Sequence, residues 1–193
     1  MKAYIFLADG FEEVEALTTA DILIRAGVEV KLVKIPGGTE DVSHQCKAVR
    51  GAHRIKVKPD LTLGVAITET ELMDADSVIL PGGMPGTTNL ASNITVVNII
   101  KEYDKTGKVV AAICAAPSVL GENNLLIGKK ATCFPGFEQK LKGATVVTEG
   151  AVIDGNIVTG KSMGSAVTFG LKVVERLLGK EASEKVEASI YRG

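Results

Sequence analysis

Several residue types that often carry function are scarce in this chain of 193 residues. It has no tryptophan, two histidines and three cysteines, and aromatic residues make up only 4%. Cys46, Cys114 and Cys133 are widely spaced and form no CxxC pair, which argues against a disulfide framework and against a zinc site. This cysteine usage is typical of a reducing compartment, so we expect a cytoplasmic protein without a bound metal.

Charge of one sign and long apolar runs are also missing. The formal net charge is −1, which gives no electrostatic reason to bind nucleic acid or an anionic membrane. No apolar stretch approaches the length of a membrane span. The N-terminal segment has one lysine and a short apolar run before it turns acidic, a pattern of a first β-strand rather than a signal peptide. We therefore expect neither nucleic acid nor a membrane as a partner.

The order of apolar segments predicts one doubly wound α/β domain over residues 1–193. Continuous Val/Ile/Leu runs alternate with amphipathic helical patterns, as in a parallel sheet covered on both faces. We predict strands at 3–7, 28–33, 76–80 and 109–113, hairpin-like segments at 131–134, 145–148 and 151–159, and helices at 13–26, 94–103, 165–178 and 180–188. In the first helix, the apolar face is expected to comprise Leu17, Ala20, Leu23 and Ile24.

Cys114 is the strongest candidate for a reactive residue. It ends the apolar run Val109–Ile113 and is followed at once by a helix-forming segment, so its sulfur sits at a sharp strand-to-helix turn. Backbone amides and the helix dipole at such a turn favour a thiolate. A buried structural cysteine is the more common role for an arbitrary cysteine, but the position at this junction favours a nucleophile elbow.

Two further loops are expected beside Cys114, because ligands bind beyond the carboxyl ends of parallel strands. The loop of residues 81–86 (PGGMPG) brings the amide of Gly83 near the thiol, and the amide of Ala115 is a natural second oxyanion donor. The loop of residues 8–15 (ADGFEEVE) supplies acids. A glutamate buried beside sulfur would have a raised pKa and donate a proton, whereas Glu12 and Glu13 are expected only to favour a helix N-terminus.

A nucleotide-binding motif is present but is interpreted as accidental. Residues 155–162 (GNIVTGKS) fit the pattern G-x-x-x-x-G-K-[ST]. That loop requires a strand before its first glycine, whereas Gly155 follows Asp154 in a predicted hairpin turn. Residues 160–164 are instead expected to lead into the following helix near the active site.

The remaining histidines and cysteines are expected to have ordinary roles. His44 and His53 are predicted in a surface loop with no orienting carboxylate. Cys133 is predicted to pack in the core. Cys46 is expected to be exposed and oxidisable or to lie at a subunit contact.

Four segments in order resemble the ThiJ/PfpI superfamily, and within it the parkinsonism-associated protein deglycase branch. They are residues 8–15 (ADGFEEVE), 21–27 (DILIRAG), 80–83 (LPGG) and 111–117 (AAICAAP). The resemblance covers nearly the whole chain. It implies a flavodoxin-like three-layer sandwich, with a mainly parallel sheet, that forms a homodimer.

The resemblance also implies roles for individual residues. Cys114 would be the easily oxidised nucleophile and Glu15 the protonated glutamate that hydrogen-bonds to it. Gly83 and Ala115 would be the backbone donors, with Gly82 and Arg25 supporting the site. Family activities include glutathione-independent conversion of methylglyoxal to lactate, repair of glyoxal adducts on proteins, cysteine oxidation under oxidative stress, and chaperone activity.

This chain departs from the family pattern at three places. Phe134 precedes Pro135 where many members have histidine, so the usual imidazole partner is missing. Residues 160–162 (GKS) replace the family's Ser-Arg-Gly segment. Ala115 follows Cys114 where the peptidase branch has histidine, which disfavours peptidase and glutaminase activities.

Two functions follow as alternatives. The first is a cofactor-independent enzyme in which Cys114 attacks a small 2-oxoaldehyde or a glycated protein and Glu15 transfers protons. The second is a redox sensor or chaperone whose cysteine is oxidised to the sulfinate with little or no turnover.

Overall fold

The computed structural model describes residues 1–37 and 48–191. The strands are β1 (Lys2–Leu7), β2 (Glu29–Lys34), β3 (Val49–Arg50), β4 (Lys56–Val57), β5 (Leu61–Thr62), β6 (Ser77–Leu80), β7 (Val109–Ile113), β8 (Lys130–Ala131), β9 (Thr145–Val146), β10 (Ala151–Asp154) and β11 (Ile157–Gly160). The α-helices are α1 (Glu13–Arg25), α2 (Gly86–Ser92), α3 (Ile94–Lys105), α4 (Pro117–Glu122), α5 (Ala166–Leu178) and α6 (Lys180–Ser189).

A seven-stranded sheet forms the centre of the fold, in the order β10-β11-β7-β6-β1-β2-β5. All neighbouring pairs are parallel except β10 and β11, which form an antiparallel hairpin. The turn predicted at Asp154 and Gly155 joins these two strands. This mostly parallel sheet between helices confirms the predicted flavodoxin-like α/β fold.

The inner strands β1, β6, β7 and β11 bury both of their faces. In the central register Ile5 pairs with Ile79, and Ile79 with Ala111; these residues share one core cluster with residues from α1 and α5. Their neighbours Tyr4 and Val78 belong to the opposite cluster, which includes residues from α3 and α4. Burial on both faces explains why these strands are apolar throughout rather than alternating.

The structure corrects two sequence-based predictions. The apolar face of α1 is not the predicted one: Ala20 and Leu23 are buried, but Leu17 and Ile24 are 39% and 59% exposed. The segments 131–134 and 145–148 do not form hairpins, because β8 and β9 pair with one another in parallel as a separate two-stranded sheet. The predicted strands and helices otherwise lie within a few residues of the observed ones.

In residues 1–37 and 48–191, no helix combines the length and the apolar character that a membrane crossing requires. The carboxyl ends of β1, β6 and β7 lie side by side in the middle of the sheet. The three loops that follow these strands therefore meet at one edge, which is where the sequence predicts the functional site.

Candidate functional site

Cys114 occupies a backbone position that side chains rarely adopt. Directly after β7, its φ is 67°, in the left-handed region that costs a non-glycine residue energy. Two hydrogen bonds hold it there: its amide donates to the carbonyl of Gly160 at 2.9 Å, and its carbonyl accepts from the amide of Phe134 at 2.8 Å. The half-buried cysteine is thus fixed between β11 and the segment after β8.

Glu15 is a fully buried carboxylic acid on the first turn of α1. Its Oε2 accepts a hydrogen bond from the amide of Gly82 at 2.8 Å. Its Oε1 is also buried and has no hydrogen-bond partner among the described residues. Burial raises the pKa of Glu15 to about 7, against the opposing effects of the Gly82 amide and the Cys114 thiol. This carboxyl group therefore exchanges a proton near neutral pH.

Gly82 and Gly83 allow three loops to approach one another closely. A Cβ on Gly82 would lie 2.6 Å from Cβ of Cys114 and 2.8 Å from Oε2 of Glu15. A Cβ on Gly83, whose φ is +86°, would lie 2.4 Å from the amide nitrogen of Glu12. Only glycine fits at either position without displacing backbone or the Glu15–Cys114 pair.

The thiol of Cys114 is less acidic than the elbow geometry predicts. Burial, followed by the Glu15 carboxylate, raises its pKa to about 12, although the amides of Ala115 and Gly83 at the sulfur lower it. The expectation that the helix dipole and amides favour the thiolate is therefore wrong for the resting site, because desolvation and a neighbouring acid oppose them. The thiol and carboxyl groups titrate as a coupled pair, and the first proton leaves the pair near pH 7.

A second polar cluster beside this pair was not predicted. The buried carboxylate of Glu13 accepts hydrogen bonds from the amides of His53 and Ile55 at 2.8 and 3.3 Å, and its Oε2 lies 3.1 Å from Nδ1 of His53. Glu12 Oε2 lies 3.4 Å from the same nitrogen. The statement that His53 lacks an orienting carboxylate is wrong, and Glu13 does more than favour a helix N-terminus.

The Glu13–His53 interaction alters the titration of both groups. The carboxylates of Glu13 and Glu12 raise the pKa of His53. Burial alone would raise the pKa of Glu13, but its hydrogen bonds hold that pKa below the usual value. The ligand atoms of Glu12, Glu13 and His53 lie within 4.8 Å of one another. Those of Glu13 already accept hydrogen bonds from the β3–β4 turn, so a cation there would compete with them.

Arg25 is not near Cys114 within one chain. It lies in the last turn of α1, about 15 Å along the helix axis from Glu15 at 1.5 Å per residue, and its Nε pairs with Asp21 at 2.6 Å. Any contribution of Arg25 to the site would therefore have to come from a second copy.

The other residues singled out in the sequence lie at different places in the fold. Cys133 is buried in the core cluster, as predicted. Phe134 is 43% exposed beside Cys114. Gly155 lies in the β10–β11 turn, and β11 continues to Gly160, so the chain there has no phosphate-binding loop geometry. His44 and Cys46 lie outside the described residues.

A strand–cysteine–helix turn with a buried glutamate on a flavodoxin-like sheet defines a class of cysteine-centred α/β proteins. Comparison with known proteins identifies the family: residues 1–176 match the DJ-1/PfpI family, to which this chain belongs. The relatives include protein dj-1beta of Drosophila melanogaster, 33% identical over 187 residues, which span 96% of this chain and 94% of that protein.

Two other relatives extend the comparison. A protein of Caenorhabditis elegans named glutathione-independent glyoxalase DJR-1.2 is 32% identical over 177 residues, which span 91% of this chain and 87% of that protein. The solved structure of oxidized DJ-1 from Toxoplasma gondii superposes with a TM-score of 0.86 at 31% identity, covering 98% of this chain and 97% of the other.

Proposed function

We propose that this chain is a cysteine-dependent, glutathione-independent glyoxalase and protein deglycase that acts on 2-oxoaldehydes such as methylglyoxal. The observation that carries the proposal is the Glu15 carboxyl group. It lies beside the Cys114 thiol, has a pKa near 7 and keeps one oxygen without a partner. A relative named as a glutathione-independent glyoxalase supports the same activity.

The reaction begins when sulfur of Cys114 adds to the aldehyde carbon. The S–C bond forms, the C=O π bond breaks, and the thiol proton passes to the Glu15 carboxylate, which returns a proton to the new oxygen. The product is a hemithioacetal. Because Glu15 takes up the thiol proton as the bond forms, a thiolate need not be abundant in the free protein.

Proton transfer then converts the hemithioacetal into a thioester. Glu15 removes the proton from the former aldehyde carbon to give an enediol and delivers a proton to the adjacent carbon. Water hydrolyses the thioester, releasing a 2-hydroxy acid and restoring the thiol. The sum is aldehyde plus water to hydroxy acid, without an external oxidant or reductant. The amides of Gly83 and Ala115, which lower the pKa of the Cys114 thiol, stabilise the oxyanions.

The proton route can be tested with deuterium. Turnover of methylglyoxal in D₂O is expected to place deuterium at C2 of lactate, because the proton that Glu15 takes from C1 exchanges with solvent while the enediol exists. Complete retention of the aldehyde hydrogen at C2 would contradict the enediol route and indicate a hydride shift.

Oxidation of Cys114 is the second candidate function. Two equivalents of hydrogen peroxide convert a thiol to a sulfinic acid and release two molecules of water. The amides at the sulfur and the free Oε1 of a protonated Glu15 would hydrogen-bond the sulfinate oxygens. The oxidized state of the Toxoplasma gondii relative favours this candidate, as does Phe134, which cannot transfer protons. Intact mass after mild peroxide treatment tests it through two added oxygens at Cys114.

We include a cytoplasmic homodimer in the proposal. The exposed side of α1 carries Val14, Leu17 and Ile24, which are 44%, 39% and 59% exposed and lie on one stripe at helical spacing. Burying this stripe against a second copy would account for its apolar character, and would place Arg25 at the contact.

A further inference from the structure

A pocket of about 390 Å³ lies next to the cysteine site and has a different chemical character. Its walls come from the loop after β1, the turn between β3 and β4, and the segment after β6. Arg50 and Arg54 line it together with Asp9, Met84 and Pro85. Two of the three charged residues in the lining are therefore arginines, and the net charge of these three residues is positive.

Neither guanidinium group is engaged by the described part of the chain. Arg25 pairs with Asp21, and Nε of Arg176 donates to the carbonyl of Gly155. In contrast, the side chains of Arg50 and Arg54 form no ion pair and no hydrogen bond with residues 1–37 or 48–191. Unpaired guanidinium groups that share one pocket are suited to bind an oxyanion through bidentate, charge-assisted hydrogen bonds.

The turn that carries these arginines is held firmly. The amide of Arg50 donates to Asp9 Oδ1 at 2.7 Å, and its carbonyl accepts from the amide of Gly10 at 2.7 Å. Arg54 has a φ of 71°, and its amide donates to the carbonyl of Gly51 at 3.0 Å. The buried Glu13 carboxylate anchors the intervening amide of His53. Binding an anion would therefore require little ordering of the backbone.

The pocket and the reactive sulfur share one segment of chain. The amide of Gly83 lowers the pKa of the Cys114 thiol, and the next two residues, Met84 and Pro85, line the pocket. Two residues span at most about 7 Å. The pocket therefore borders the same loop that carries the Gly83 amide.

We propose that this pocket is an oxyanion subsite for the substrate of the Cys114 reaction, so that the preferred substrate carries a carboxylate or phosphate group in addition to its reactive carbonyl. This inference rests on the proposed function for the identity of the reaction, but the binding of the anion can be measured without turnover. Arg50 and Arg54 are then specificity-determining residues.

Binding tests the subsite directly. Benzoate and phenyl phosphate, with benzamide as the neutral control, are titrated into the full-length protein by NMR, following the guanidinium signals of arginine. Both anions are expected to bind and benzamide is not. The relative affinities of benzoate and phenyl phosphate show whether the site prefers carboxylate or phosphate.

Arg50→Gln and Arg54→Gln should each weaken anion binding about 10-fold, in keeping with the strength of a charge-assisted hydrogen bond. Arg176→Gln is the control and should leave anion binding unchanged. The anions are tested up to about 20 mM, a concentration at which even a weak site with a Kd in the millimolar range would be largely filled. No binding by wild type at that concentration, or equal binding by wild type and the double variant, would overturn the proposal.

Turnover provides a second readout. Initial rates are compared for 4-carboxyphenylglyoxal and phenylglyoxal, before the aldehydes modify arginines. The ratio of kcat/KM for the charged over the neutral substrate should fall by at least about 10-fold in the double variant. An unchanged ratio contradicts the subsite. If wild type turns over none of these aldehydes, the proposed function fails, and the binding titration alone decides the subsite.

Discussion

Glu15 and Cys114 face each other across the backbone of Gly82. The amide of Gly82 donates to Oε2 of Glu15 at 2.8 Å, and a methyl group on Gly82 would lie 2.6 Å from Cβ of Cys114. A loop, a helix and a strand end thus converge on one glycine. Because Gly82 has no side chain, the carboxyl group of Glu15 and the thiol of Cys114 can lie close together on either side of it.

Gly82→Ala should separate this pair without unfolding the protein. The added methyl group must push Cys114 or Glu15 away, and a displacement of about 1 Å in a reacting group costs on the order of 100-fold in rate. We expect a loss of that size in methylglyoxal turnover, with the circular dichroism spectrum retained. Gly164→Ala is the matched control, because a Cβ there would meet only Ser162 Oγ at 3.9 Å. Equal rates for both variants would contradict the importance of this contact.

Alkylation of Cys114 by iodoacetamide should report the first ionisation of the Glu15–Cys114 pair. Because that proton leaves near pH 7, the alkylation rate should rise with an apparent pKa of about 7. In Glu15→Gln no carboxylate can take the thiol proton, and burial still disfavours the thiolate, so the rise should move to higher pH. Mass spectrometry of the Cys114 peptide gives both profiles. A profile that is unchanged in Glu15→Gln would show that the two groups are not coupled.

Glu15 should lower stability as the pH rises. Its pKa is raised from 4.5 to about 7 in the folded protein, so the folded state binds the proton more tightly than the unfolded chain. The stabilisation is complete below pH 4.5 and is lost as the pH rises through 7. Between pH 5 and pH 8, the free energy of unfolding of Glu15→Gln should gain about 2–3 kcal/mol relative to wild type. Urea denaturation at the two pH values measures this difference, and a constant offset between the proteins would contradict the raised pKa.

The exposed stripe on α1 predicts how the proposed homodimer assembles. A charge at Leu17 would have to be buried in that contact without a partner, so Leu17→Glu should yield a monomer. Ile94→Glu is the control, since Ile94 is 70% exposed at the start of α3, on the other side of the sheet. Sedimentation velocity distinguishes the states. A wild-type monomer, or a Leu17→Glu variant that remains dimeric, would rule out this surface.

The sequence predicted those parts of the fold that depend on local patterns. Strands buried on both faces are apolar throughout, and Val109–Ile113 was placed at its observed bounds for that reason. The approach of the loop 8–15, the loop 81–86 and Cys114 also followed, because the carboxyl ends of neighbouring parallel strands share one edge of the sheet; the family resemblance singled out Glu15 among the acids of the first loop. These inferences need only periodicity and topology.

Contacts that depend on short or distant segments could not be predicted. Strands β3 and β4 have two residues each, which is too few to show a hydrophobic period in the sequence. The turn between them, which brings His53 to Glu13, could therefore not be predicted. The apolar residues Leu17 and Ile24 suggested a core face, because a pattern alone does not distinguish burial in a core from an exposed surface. The pKa of Cys114 depends on the balance between desolvation and amide hydrogen bonds, which requires coordinates.

Lactate formation from methylglyoxal in the absence of glutathione tests the central claim most directly. Wild type is compared with Cys114→Ser, and with Cys133→Ser as a control that removes the other described free thiol, which is buried in the core. The account predicts lactate from wild type and Cys133→Ser and none from Cys114→Ser. No lactate from folded wild type, or equal lactate from Cys114→Ser, would contradict it.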